Sequence, residues 1–314
     1  MNHNHDHHLH QNQENIKVAF FLNAGFALAE LIGGILTNSI AILADALHDL
    51  GDSISLAISW QLEKLSEKSG DSRYSYGYKR FSLLSALLSG IILLTGSIFV
   101  AIEGVQRLID PQPSSARGML IFSLVGMAVN GYAAFRTSRA ENMNSRMISW
   151  HMIEDLLGWA AVFVVSIVLL IRQINVLDPL LSLVVTAFVL YNVIKNLRTT
   201  LKLFLQGVPD SLDVNAIEKE IRALDKVKDV HHTHVWSLDG EQHVLTTHVV
   251  LCLDAKKEDI RKVKNKVRDL TDQLNLSHTT IEFEYLDDDC SMSHNGPDHQ
   301  CMETEKEKVG NEQQ

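Results

Sequence analysis

The sequence predicts an α-helical membrane protein of six transmembrane helices, followed by a small α+β domain. Two observations carry this. Residues 17–200 are dominated by long apolar runs, whereas 209–287 have the mixed composition of an ordinary water-soluble domain. The break near Gly207 divides a 314-residue chain whose 46% hydrophobic content averages over two different solvents.

A spanning helix needs about 20 apolar residues. Six stretches qualify: 17–37, 39–61, 81–105, 117–136, 148–171 and 176–198. The first two meet in a tight hairpin at Thr37-Asn38-Ser39. Ile91–Val100 and Ala160–Ile171 lack the polar face that a surface helix of a soluble protein carries. Basic residues orient the spans. Lys64, Lys68, Arg73, Lys79, Arg80, Arg136, Arg139 and Arg146 flank the second and fourth loops, against Arg107, Arg117 and Arg172 on the other side. Eight against three puts those loops in the cytoplasm, and both termini with them.

The rest of the plan follows by subtraction. Residues 1–16 form a histidine-rich cytoplasmic segment, 17–200 the membrane domain, 201–209 a linker, 210–287 the α+β domain and 288–314 a polar tail expected to be disordered. The first sixteen residues lack the basic start and apolar core of a cleavable signal peptide, so the spans themselves are expected to direct insertion. A formal charge of −10 argues against nucleic acid as a partner. The three cysteines, Cys252, Cys290 and Cys301, are too few for a disulfide framework and fit a reducing compartment.

Ionisable groups inside a membrane are expensive and mark function by default. Here they gather on two spans. The second reads Asp45-Ala46-Leu47-His48-Asp49-Leu50-Gly51-Asp52, the fifth His151-Met152-Ile153-Glu154-Asp155. Both contain His-x-x-x-Asp. Residues four apart share a helix face, so each span offers one imidazole and one carboxylate in the same direction. Two such helices face to face supply two nitrogen and two oxygen ligands, which suits zinc, with cobalt or cadmium as alternatives. Spacing alone does not choose between His48/Asp52 and Asp45/Asp49, nor between Asp155 and Glu154. Glu30 and Asp178 are further acids, read either as proton-relay or supporting groups or as partners of neighbouring helices.

The α+β domain reads helix (213–224), strand (228–237), strand (243–253), helix (256–274), strand (279–286), with Asp239-Gly240 as a hairpin turn. His231, His232, His234, His243, His248 and His278 crowd into it, and Glu282 and Glu284 lie on its last strand.

With these residues in view, the sequence resembles the cation diffusion facilitator family of metal transporters. Leu22-Asn23, Phe26 and Glu30 resemble its first span, and Ala44 through Asp52 its second. Tyr76-Gly77-Tyr78-Lys79-Arg80 resembles the basic motif before the third, and Asn142, Asn144, Arg146, His151 and Asp155 the fifth-span signature. Asp178-Pro179 and Leu205-Gln206-Gly207-Val208-Pro209 resemble the opening of the sixth span and the exit from it. The resemblance implies a homodimeric antiporter that exports Zn2+, with Cd2+ or Co2+ as further cargo, in exchange for protons. It favours His48, Asp52, His151 and Asp155 as the transport site. It implies a metallochaperone-like cytoplasmic domain, with His231, His248 and Glu282 near positions where relatives bind metal as a regulator. Two departures stand out. The loop Asp71 to Tyr78, where some members place metal-binding histidines, has none, and Phe81-Ser82 replaces an acid that often follows the basic motif.

No phosphate-binding GxxxxGK loop and no His-Glu-x-x-His motif are present. Neither ATP-driven pumping nor intramembrane proteolysis is therefore expected, and the chain reads as no enzyme and as needing no organic cofactor. The competing reading is a membrane-anchored metal sensor that does not transport. Cys290, His294, His299 and Cys301 in the tail, and His3, His5, His7, His8 and His10 at the start, have zinc-ligand chemistry without a compact spacing. The short loops and modest length suggest a bacterial inner membrane.

Overall fold

The computed structural model describes Phe21 and residues 24–137 and 143–285, with side chains at all of these except 133, 136, 137 and 143–152. The histidine-rich start, Leu22-Asn23, Asn142 and the Cys/His tail lie outside the described residues. The chain divides between Leu205 and Gln206 into two compact units.

Among the described residues the first unit holds six helices: α1 (Ala24–Thr37), α2 (Ile40–Ser66), α3 (Arg80–Ile109), α4 (Ala116–Thr137), α5 (Met143–Ile171) and α6 (Leu177–Phe204). They match the six expected spans in order. Several are longer than a bilayer core requires: α2 has 27 residues and α3 has 30. Helix α6 runs on to Phe204, into the stretch read as linker. Among the described residues, three helices are long and apolar enough to cross a membrane by composition alone, namely α3, the Ile153–Ile171 part of α5, and α6. Helix α2 is equally long but carries Asp45, Asp49 and Asp52 within two turns. Its polarity is the candidate site.

The unit is apolar outside, and inside it buries polar side chains beside an apolar core. Ile91, Phe99 and Ile102 on α3 and Val184 and Phe188 on α6 are exposed, whereas Ser53, Ser85, Ser97, Ser123, Ser166 and Ser182 are buried. Small residues let helices approach closely in lipid. A side-chain carbon at Gly126 of α4 would lie 2.2 Å from the Trp159 ring of α5, and one at Gly51 of α2 would lie 2.7 Å from Leu93 of α3. Helix α2 packs on α3 and α6, and α4 packs on α5.

The α1–α2 hairpin shows how the chain turns without leaving backbone groups unpaired. Asn38 takes a left-handed φ of 52°. A helix start leaves four N–H donors without internal partners, and all four are met here. Ser39 N–H donates to Gly34 O, the Ile40 and Ala41 N–H groups donate to the Asp178 carboxylate, and Ile42 N–H donates to Ser39 Oγ.

The second unit contains α7 (Val214–Arg222), β1 (Val227–Ser237), β2 (His243–Leu251), α8 (Lys257–Gln273) and β3 (Leu276–Tyr285). This is the expected helix–strand–strand–helix–strand order. Strand β1 pairs antiparallel with β2 through the Asp239-Gly240 turn, where Gly240 has a φ of 103° that favours glycine. Strand β3 returns through α8 to lie parallel to β2, giving the order β1-β2-β3. Ile217 and Ile221 of α7, Val263 and Val267 of α8, and Leu245, Val249 and Leu251 of β2 form one core. The two helices therefore cover one face of the sheet. His248, between Val249 and Thr247, points to the other face.

Candidate metal centres

The structure brings together a set of polar side chains within the helices of the first unit. His48 Nε2 lies 3.7 Å from Asp52 Oδ2, on one face of α2 as the four-residue spacing requires. That is too long for a hydrogen bond. Two ligands each about 2.0–2.1 Å from a zinc ion at the tetrahedral angle stand about 3.3–3.4 Å apart. The pair therefore needs to close by only a few tenths of an ångström to share an ion.

Asp155 of α5 faces the same region, close enough to interact electrostatically with Asp49. His151 lies one turn before it in α5, and its side chain is outside the described set. Asp49 is more buried than either member of the His48/Asp52 pair, at 7% exposure, and has Glu30, His48 and Asp52 as further neighbours. Glu30 of α1 is 1% exposed, among Asp45, Asp49 and Asp155. Asp45, one turn before Asp49, interacts with Glu30 and with His48 also lines a cavity of about 30 Å3 bounded by Ser97 of α3 and Thr186 of α6, room for a water or two. Asp45 and Asp49 thus both neighbour Glu30, while His48 and Asp52 stand together on α2. Glu154 is exposed.

Asp178 is not near this cluster in sequence or in its bonds. It sits in the first turn of α6 at 2% exposure and accepts from Ser39 Oγ (2.6 Å), Ile40 N–H (2.8 Å) and Ala41 N–H (3.3 Å). Its contacts make it a partner of the neighbouring helix α2.

The loop between α2 and α3 has its own order. Asp71 accepts from the backbone N–H groups of Arg73 and Tyr74 and from Tyr78 Oη. The Tyr74 N–H, the Tyr78 hydroxyl and the Arg73 N–H, in that order, hold the Asp71 carboxyl below the usual carboxylate range. The same bond pushes the Tyr78 hydroxyl up. Tyr74, Tyr78 and Phe81 stack around it. In the loop that lacks the histidines some members place there, this chain uses Asp71 to tie the backbone.

In the second unit, His231 of β1, His248 of β2 and Glu284 of β3 offer ligand atoms all within 4.8 Å of one another. The register explains it. His231 pairs with His248, and His248 with Glu282. Glu284, one pleat further along β3, reaches diagonally across both histidines. Its Oε1 lies 2.6 Å from His248 Nδ1 and its Oε2 lies 3.2 Å from His231 Nε2. Glu282 Oε2 approaches only the outer nitrogen of His248, at 3.4 Å, and its side chain is 56% exposed against 10% for Glu284. The sequence reading selected Glu282. The structure places Glu284 at the centre and Glu282 at the rim. His231 Nδ1 is buried without a hydrogen bond, and its Nε2 has only the approach of Glu284, an arrangement that a metal ion would relieve. His232, at a left-handed φ of 50° in a bulge of β1, stacks its ring near both histidines. The bulge has a reason. Val230 and Val235 both enter the core although five residues apart, and only an extra residue allows this in a strand of period two. His243, at the start of β2, is buried, and burial pushes its pKa down.

A helical unit with an apolar exterior and buried acids and imidazole, joined in sequence to a sheet bearing a His/Glu cluster, defines an integral membrane protein that handles metal ions. The chain belongs to the cation efflux family: residues 16–205 match the cation efflux transmembrane domain, and 209–285 match the cation efflux protein cytoplasmic domain. It is 31% identical over 300 residues to the zinc transporter ZitB of Pectobacterium atrosepticum, covering 93% of this chain and 92% of that protein. It is 30% identical to a cadmium, cobalt and zinc/H(+)-K(+) antiporter of Bacillus velezensis, covering 90% and 92%. The metal cation efflux system protein CzcD of Cupriavidus metallidurans is 29% identical, covering 90% and 89%. Among solved structures, the metal-bound C-terminal domain of the CzcD transporter from the same organism is 34% identical, covering 23% of this chain and 99% of that one, with a TM-score of 0.21.

Proposed function

We propose that the protein exports zinc, with cadmium and cobalt as further cargo, from the cytoplasm in exchange for protons. The observation that carries this is the His48–Asp52 pair on α2 with Asp155 facing the same region from α5. His151, one turn from Asp155, completes two nitrogens and two oxygens. The relatives named for zinc transport and for cadmium, cobalt and zinc antiport support the cargo and the coupling.

The exchange follows from ligand chemistry. Imidazole and carboxylate bind zinc only when deprotonated, so loading releases protons. Histidine suits the return step because its ordinary pKa lies near physiological pH. On the side of higher proton activity, His48 and His151 take up protons and the ion leaves. The cycle makes and breaks no covalent bond of a substrate, so the protein is no enzyme, and it needs no organic cofactor. The reading places both termini and the C-terminal unit in the cytoplasm of a bacterial inner membrane, with the protein as a homodimer, in keeping with the dimer-type cytoplasmic domain model that matches.

The His231/His248/Glu284 cluster, with Glu282 at its rim, is read as a regulatory metal site. Zinc there would bind from the cytoplasm and bias the membrane unit. The donor set fits zinc: two nitrogens and a carboxylate within one ion's reach.

Zinc titration of the purified full-length protein tests the assignment. Wild type is expected to bind zinc at separate membrane and cytoplasmic sites. Asp52→Ala and Asp155→Ala each remove the first and keep the second. Retention of both sites in both variants would move the transport ligands elsewhere.

A further inference from the structure

We infer that Asp178 is a positioning residue for the α2 half of the transport site; this rests on the proposed transport reading. Asp178 uses both carboxylate oxygens on α2: Oδ1 takes Ser39 Oγ and Ala41 N–H, and Oδ2 takes Ile40 N–H. Two of the four orphan donors of α2 are thus met by a side chain 137 and 138 residues away in sequence. A third, on Ile42, is met by Ser39 Oγ, which Asp178 itself orients. The positive end of α2 therefore faces a buried carboxylate that also occupies the first turn of α6, so one acid serves two helix dipoles.

A third helix joins at the same place. Arg107, in the last turn of α3, donates from Nη1 to Asn38 O, the residue before the cap, and pairs with Glu103. The α3–α4 connection adds Asn38 Nδ2 to Pro113 O and Ser115 N–H to Thr37 O. The end of α2 where the ion ligands are nearest is thereby held by α3, α6 and a loop. His48 lies about two turns along from Ile40, or roughly 12 Å by helical rise. A helix fixed at its first turn presents His48 and Asp52 at a set height and rotation. Released there, it can fray, slide or rotate, and the 3.7 Å spacing of the pair towards α5 is no longer held.

The consequence is read in the affinity for zinc, since loss of groups that orient metal ligands commonly weakens binding by about 10–100-fold. The test is zinc flux into liposomes as a function of zinc concentration, per mole of protein eluting as folded, for Asp178→Ala, Asp178→Asn and Ser39→Ala. The expected result is a KM raised about tenfold in Asp178→Ala. A smaller rise is expected in Asp178→Asn, which keeps one acceptor oxygen, with Vmax per folded protein within about twofold of wild type in each. Ser39→Ala breaks the same bond from the other side, and it should raise KM by at least about threefold even if the Asp178 variants do not fold. Adding Ser39→Ala to Asp178→Ala should add less than Ser39→Ala adds to wild type, the remainder being the lost cap on Ile42 N–H. A KM unmoved in Ser39→Ala and in any folded Asp178 variant, with loss confined to Vmax or yield, overturns the role. Absence of flux from wild type would instead overturn the transport reading on which it rests.

Discussion

Glu284 bridges two histidines from two different strands, and no other carboxylate of the second unit is placed to do so among the described residues. In protein carrying Asp52→Ala to silence the membrane site, Glu284→Gln should weaken zinc binding at the cytoplasmic cluster by at least about tenfold, and Glu282→Gln by no more than about threefold. Calorimetric titration of the two variants distinguishes them, and equal losses would restore Glu282 to the centre. His243 gives a pH prediction. Burial lowers its pKa in the folded state below the ordinary value of 6.5. The unfolded state then binds more protons between the two values, so stability rises with pH in that window. The contribution is complete above 6.5 and disappears as pH falls through the folded value. Thermal unfolding of the second unit should fall between pH 7 and pH 5.5, and His243→Gln should flatten part of that slope. An unchanged slope in the variant would assign the effect to other groups.

At the scale of elements, the rotation of α5 depends on one notch. Trp159 is 1% exposed and packs where Gly126 of α4 leaves room. It lies one turn from Asp155, so it fixes the face on which that acid stands. Gly126→Val should destabilise the membrane unit by about 1–3 kcal/mol through overpacking and reduce zinc flux per folded protein. Detergent melting curves and flux measured together check it; full stability with full flux would show that α5 finds its place without the notch. The helices themselves were legible in the sequence because lipid forbids unpaired backbone and demands apolar runs. The paired His-x-x-x-Asp spacings were equally plain. The β1 bulge was not, since the period of β1 fails only when both Val230 and Val235 are known to face the core. Without the bulge and the parallel register of β3, the resemblance selected Glu282, and nothing in the sequence pointed to Glu284 one pleat further along. The cap role of Asp178 was hidden for the same reason: its partners lie more than 130 residues away.

The whole molecule joins two chemistries in one chain. The first unit needs lipid around it, and the second has a core of its own built from α7, α8 and the sheet. The account's central claim is that the acids and histidines of α2 and α5 carry zinc across the membrane at the expense of a proton gradient. The direct measurement is zinc uptake into liposomes holding the full-length protein, with and without an imposed pH difference, for wild type, Asp52→Ala and Asp155→Ala. The account predicts uptake that the gradient accelerates in wild type and that both substitutions abolish. Uptake that ignores the gradient, or that survives both substitutions, would contradict it.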